Sequence, residues 1–197
     1  MQTVSRVYDS YAQARNAVTA IEAAGVRSSE VSLVANKYVS DKYDDVTEVS
    51  KTATGAGIGG VVGGGAGLLA GLGLLAIPGL GPVVAVGWLA SLAVGAAAGA
   101  AAGGLVGALI SAGIPEEHAH VYSETVRRGG TLVSAKVEDR DAARIQSILD
   151  QYKPIDPVER GAQYRKEGWK TFDPKAEAYR PSQAEIERIR RDHDLAA

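Results

Sequence analysis

The sequence predicts an α+β fold: a ferredoxin-like four-stranded sandwich of two strand–helix–strand halves, with a glycine-rich helical hairpin inserted between them. Three observations predict it. Both ends of the chain pair short β-rich runs with apolar residues at helical spacing. The two ends also resemble each other, since Val7-Tyr8-Asp9 and Val137-Glu138-Asp139 each lead into an Ala/Arg-rich helix. Between them, the 64 residues from Thr52 to Pro115 contain no Asp, Glu, Lys, Arg or His.

The first half begins with an alternating run, Thr3 to Tyr8, that reads as a strand. Asp9 or Ser10 can cap the following helix, whose apolar positions Tyr11, Ala14, Val18 and Ile21 keep helical spacing. Gly25 supplies the left-handed residue that stops it. Val31 to Ala35 is the second strand, and residues 36–51 are a polar lead-in.

The second half opens at Ile114-Pro115-Glu116-Glu117, where proline and two acidic residues suit a helix N-terminus. Arg127, Arg128 and Gly129 close that helix. Thr131 to Val137 is the third strand, and Asp139 begins a helix carrying Ala142, Ile145, Ile148, Leu149 and Tyr152. Ile155, between Pro154 and Pro157, can form only a short fourth strand at an edge. The domains expected are therefore 1–51, first half and lead-in; 52–113, glycine-zipper hairpin; 114–158, second half; and 159–197, a charged tail. In that tail Gly168 to Pro174 reads as a turn with aromatic anchors. Ser182-x-x-Glu185 reads as a capping box starting a short helix.

Within the uncharged run, glycines recur every fourth residue. Gly55, Gly59, Gly63, Gly67 and Gly71 form one ladder; Gly87, Ser91, Gly95, Gly99, Gly103, Gly107 and Ser111 form a second, all small. Four residues make about one helical turn, so each ladder draws a smooth stripe against which another backbone can pack. Pro78-Gly79-Leu80-Gly81-Pro82 reads as the turn between two helices, roughly 54–77 and 83–112. Each arm exceeds the ~20 residues that cross a bilayer's hydrocarbon layer.

The ladder glycines are thus the candidate helix-packing residues, and the partners expected are a lipid bilayer and further copies of the chain. Arg6, Asp9 and Arg15 interrupt any leader-type apolar segment. The expected location is the inner membrane, with both flanking segments in the cytoplasm. A soluble cytoplasmic protein, its hairpin buried in an oligomer, is the alternative. A pore of assembled hairpins ranks below both, because no polar ladder lines a lumen.

Composition narrows the chemistry. A net charge of −2 lacks the basic excess that phosphate backbones select, so nucleic acid is not expected. With Cys 0, disulfides, thiolate metal sites and thiol nucleophiles are excluded. Gly55-x-Gly57-x-x-Gly60 matches the dinucleotide fingerprint by letter. It follows no convincing strand, and no acidic residue stands about twenty positions on. His118 and His120, two apart on a helix, point to different faces, and His193 lies in the tail. Ser91, Ser111 and Ser123 have no His/Asp partner at readable spacing. No enzyme, cofactor or metal is expected. Trp169 with Lys170 could sit at a lipid headgroup layer, although a tail of such balanced charge better suits aromatic docking on the sandwich.

Ala112-Gly113-Ile114-Pro115-Glu116-Glu117, with Ala119, Tyr122 and Arg127 through Val133, resembles the bacterial general-stress-protein domain of heat-induced stress proteins. Tyr8, Ala12, Ala14, Val18, Leu33 and Val34 are similar in pattern to that domain's first half. The middle is similar to bacterial glycine-zipper two-pass membrane domains. The resemblance implies a non-enzymatic, stress-linked accessory protein, membrane-anchored and oligomerising through its glycine ladders. It brings no catalytic residue. The alternative function is a ferredoxin-like ligand-binding or regulatory module.

Overall fold

The computed structural model describes residues 1–36, 73–77, 80–89 and 104–176. In chain order the elements are β1 (Gln2–Tyr8), α1 (Tyr11–Ala23), β2 (Val31–Asn36), β3 (Gly73–Ile77), β4 (Gly81–Val86), α2 (Gly104–Ser111), α3 (Glu116–Arg127), β5 (Thr131–Val137), α4 (Asp139–Asp150) and α5 (Pro157–Lys166). All five strands join one antiparallel sheet in the order β1-β5-β2-β4-β3.

Local chemistry accounts for the ends of α1. The Ser10 side chain accepts from the Gln13 backbone N–H at 3.2 Å, and the Gln13 side chain accepts from the Ser10 backbone N–H at 3.3 Å, which is a reciprocal capping box. Gly25, at φ +98°, then turns the chain out of the helix. In α4 the apolar period places Ala142, Ile145 and Leu149 on the buried face.

The α+β class holds, but the four-stranded ferredoxin-like sandwich does not. Its first three strands are present as β1-β5-β2. Around Ile155 no strand forms; among the described residues one backbone bond, from the Ile155 N–H to the Val7 carbonyl (2.8 Å), joins it to β1. Proline on both sides of the segment removes the donors a ladder would need. The sheet grows at its opposite edge instead, by a β-hairpin drawn from the uncharged run.

That hairpin overturns the helical reading at its tip. Ile77 pairs with Gly81 across the reversal, and β4 runs along β2 from Leu33↔Val86 to Asn36↔Val83. Valines at 83, 84 and 86 favour an extended backbone, and the open edge of β2 offers a ladder of hydrogen bonds. A two-pass topology needs the tip across the bilayer from the flanking domain, yet here the tip is stitched into that domain's sheet. Among the described residues no helix is long and apolar enough to cross a membrane, α1 being the longest at 13 residues. The transmembrane-helix expectation is corrected accordingly, and the inner-membrane placement built on it finds no support among the described residues; much of both predicted arms, 54–72 and 90–103, lies outside them.

Helices cover both faces of the sheet. On one, α1 and α4 bury Val4, Tyr8, Val31, Leu33, Val133 and Ala135. On the other, α2, α3, α5 and Phe172 cover Val7, Val34, Val83, Ala85 and Leu132. The aromatic tail therefore docks on the body, with Tyr164 and Phe172 buried and Trp169 packed beside them. Fully burying a Leu such as Leu105, Leu109 or Leu132 contributes about 1.5–3 kcal/mol, so this second face rests on a core of its own.

Candidate functional site

Polar side chains on the second face form a graded track. Ser5, Ser134 and Ser32 stand in register across β1, β5 and β2, all buried. Ser5 Oγ and Ser134 Oγ are 2.7 Å apart, and Ser32 Oγ accepts from the Leu89 backbone N–H at 2.9 Å. One row along, Thr3 pairs with Lys136 at the end of the sheet. In the opposite direction the face becomes apolar with Val7, Leu132 and Val34.

The segment after β4 crosses this track closely. Gly87 has φ +88°, and a Cβ there would lie 2.1 Å from the Val31 carbonyl and 2.6 Å from Ser32 Oγ. Only glycine fits that approach. With Leu89 buried and bonded to Ser32, the intervening Trp88 is directed over the start of β2, where its indole N–H donates to the Glu30 carbonyl at 3.1 Å. Lys136 Nζ rests 4.0 Å from the centre of the Trp88 ring.

Beside this pair opens a cavity of about 510 Å³, lined among others by Thr3, Trp88, Ser111, Gly113, Lys136 and Asp139. Ser111 and Gly113 come from the end of α2, where Gly113 at φ +89° and the Ile114 N–H, bonded to the Leu109 carbonyl at 3.0 Å, close the helix. Lys136 makes no ion pair with any described residue. Asp139 lies 3.3 Å from the Met1 amine.

Several other buried or half-buried charged groups pair with one another. The Glu124 carboxylate, 1 % exposed, accepts from Arg127 Nε (2.8 Å) and Nη2 (2.6 Å) and from Arg128 Nε (2.7 Å). Arg128 also reaches Glu167 and lies 4.2 Å from the Tyr164 ring centre, tying α3 to the segment after α5. Burial works against the Arg128 charge, but its two carboxylate hydrogen bonds prevail and raise its pKa. Arg160 clamps Asp9 through two bonds of 2.8 Å, chiefly by which its pKa is raised. Arg6 pairs with Asp150 at 2.6 Å.

The sequence-predicted residues are placed as follows. Gly87 lies in the bend beside Trp88 and Gly107 in α2. Gly55, Gly59, Gly63, Gly67, Gly71, Gly95, Gly99 and Gly103 lie outside the described residues, as do Gly57, Gly60, Ser91, Ser182 and His193. His118 and His120 make separate contacts: His118 stacks obliquely near Tyr122, at 6.4 Å, while His120 Nδ1 is 3.0 Å from Thr171 Oγ1. Ser111 lines the cavity, and Ser123 is buried with no hydrogen bond to its hydroxyl from the described residues. Trp88 and Lys136 escaped the sequence reading. The available signal was that Trp88 is the single aromatic residue between Thr52 and Pro115. No protein-family profile, curated protein or solved structure matches the chain.

Proposed function

We propose that this chain is a non-enzymatic regulatory module that binds a small ligand in the cavity beside Trp88, as a stress-linked accessory protein of the cytoplasm. The observation that carries the ligand-binding reading is the fixing of Trp88. Gly87 pressed on β2, the Leu89–Ser32 bond and the Glu30 carbonyl hold a large aromatic side chain, partly packed against the second core, at a cavity wall. The stress link rests on the resemblance of Gly113 to Val133 and of the first half. Self-association is part of the proposal, because β3 is the outermost strand, carries no charge, and among the described residues is bonded only to β4.

Thermal denaturation of the full chain against a panel of small metabolites tests the ligand-binding reading. At least one compound is expected to raise the Tm, and Trp88→Ala to remove that rise. If no compound stabilises the wild type more than the variant, the reading fails.

A further inference from the structure

We infer that the ligand of this cavity is a small organic carboxylate with a flat apolar body, its carboxylate seated on Lys136 Nζ and its body against Trp88. This rests on the ligand-binding reading above and adds the chemical class. Lys136 is the last residue but one of β5, with Thr3 paired beside it and the Trp88 ring 4.0 Å from its ammonium. Lys136 is half-buried, and no carboxylate pairs with it among the described residues. A ring quadrupole at a wet site offers an ammonium about 0.5–1 kcal/mol, less than a charge-assisted hydrogen bond to an anion contributes. Among the described residues, the cavity thus holds a cation at its wall with no carboxylate paired to it.

The rest of the lining narrows the anion. The Thr3 and Ser111 hydroxyls can donate to a second carboxylate oxygen, while Asp139 faces the Met1 amine. Trp88 supplies an apolar surface that inorganic phosphate cannot use and a planar organic acid can. The carboxylate therefore draws on Lys136 and the hydroxyls together, and the body on the indole.

Calorimetric titration of the full chain with benzoate, its neutral isostere benzamide, and inorganic phosphate tests the class. Benzoate is expected to bind at least tenfold more tightly than either, a gap of about 1.4 kcal/mol. Lys136→Met, close in volume to lysine, is expected to bring benzoate down to the level of benzamide while lowering the Tm by no more than about 4 °C. Should that variant fail to fold, Thr3→Val with Ser111→Ala is expected to weaken benzoate several-fold and leave benzamide unaffected. Equal binding of benzoate and benzamide, or benzoate affinity undiminished in the variants, overturns the carboxylate assignment. If phosphate binds as well as benzoate, the apolar half of the assignment is wrong. A neutral compound that binds in a Trp88-dependent way while benzoate does not leaves the ligand-binding reading standing and this inference refuted. Absence of any Trp88-dependent binding defeats both.

Discussion

Gly87 shows how one residue without a side chain sets the geometry of a site. Its positive φ and its approach to Val31 and Ser32 let the chain leave β4 and fold back across the sheet, bringing Trp88 to the cavity. Gly87→Ala places a methyl where a carbonyl oxygen stands, so urea denaturation should show a loss of about 2–4 kcal/mol. A native-like stability in that variant would mean the bend is not pressed on β2. Tyr8 and Tyr122 act at the same scale through ionisation. Burial raises the pKa of both phenols, and Tyr8 also donates to the Leu149 carbonyl at 3.0 Å. A raised folded-state pKa contributes stability that is complete below the unfolded value, about 10 for tyrosine, and lost as pH rises beyond it. Stability should therefore be level through neutral pH and fall from about pH 10 upward, less steeply in Tyr8→Phe. A slope unaltered by that substitution would show that Tyr8 ionises freely in the folded chain.

At the scale of elements, the charged ends were legible, and the uncharged middle only at α2, which lies within the helix expected over roughly 83–112. Period and caps sufficed for β1, α1, β2, α3, β5 and α4, because each has one face toward a core and turn residues at its limits. In the middle, glycine spacing suggested helix–helix packing, whereas the valines around 83–86 and the Pro-Gly turn carried the hairpin signal. Helix α5 also went unread, although Asp156 before Pro157 is a cap that holds the Val158 and Glu159 N–H groups at 2.7 and 3.0 Å. The cavity could not be read at all, since its lining comes from β1, β5, the bend after β4 and the end of α2. The outermost strand yields its own expectation. If β3 mediates self-association, Leu75→Lys should shift the chain toward monomer in sedimentation at fixed concentration, through charge repulsion along the edge. An unchanged distribution would assign assembly to another surface.

For the molecule as a whole, the course of the uncharged run decides the fold. It feeds two strands to the sheet and one helix to the second core, so a segment that reads as a membrane hairpin instead helps to build the body of the fold. The ligand cavity follows from that placement, since Trp88 reaches it only because β4 lies along β2. Cross-strand disulfide formation between Val34→Cys and Ala85→Cys tests it most directly. The two positions are paired in register, and the chain, with Cys 0, supplies no competing thiol. Near-complete oxidation to the intramolecular disulfide is expected in the full chain without detergent. Persistently free thiols at both positions, in a chain that otherwise folds, would contradict the account.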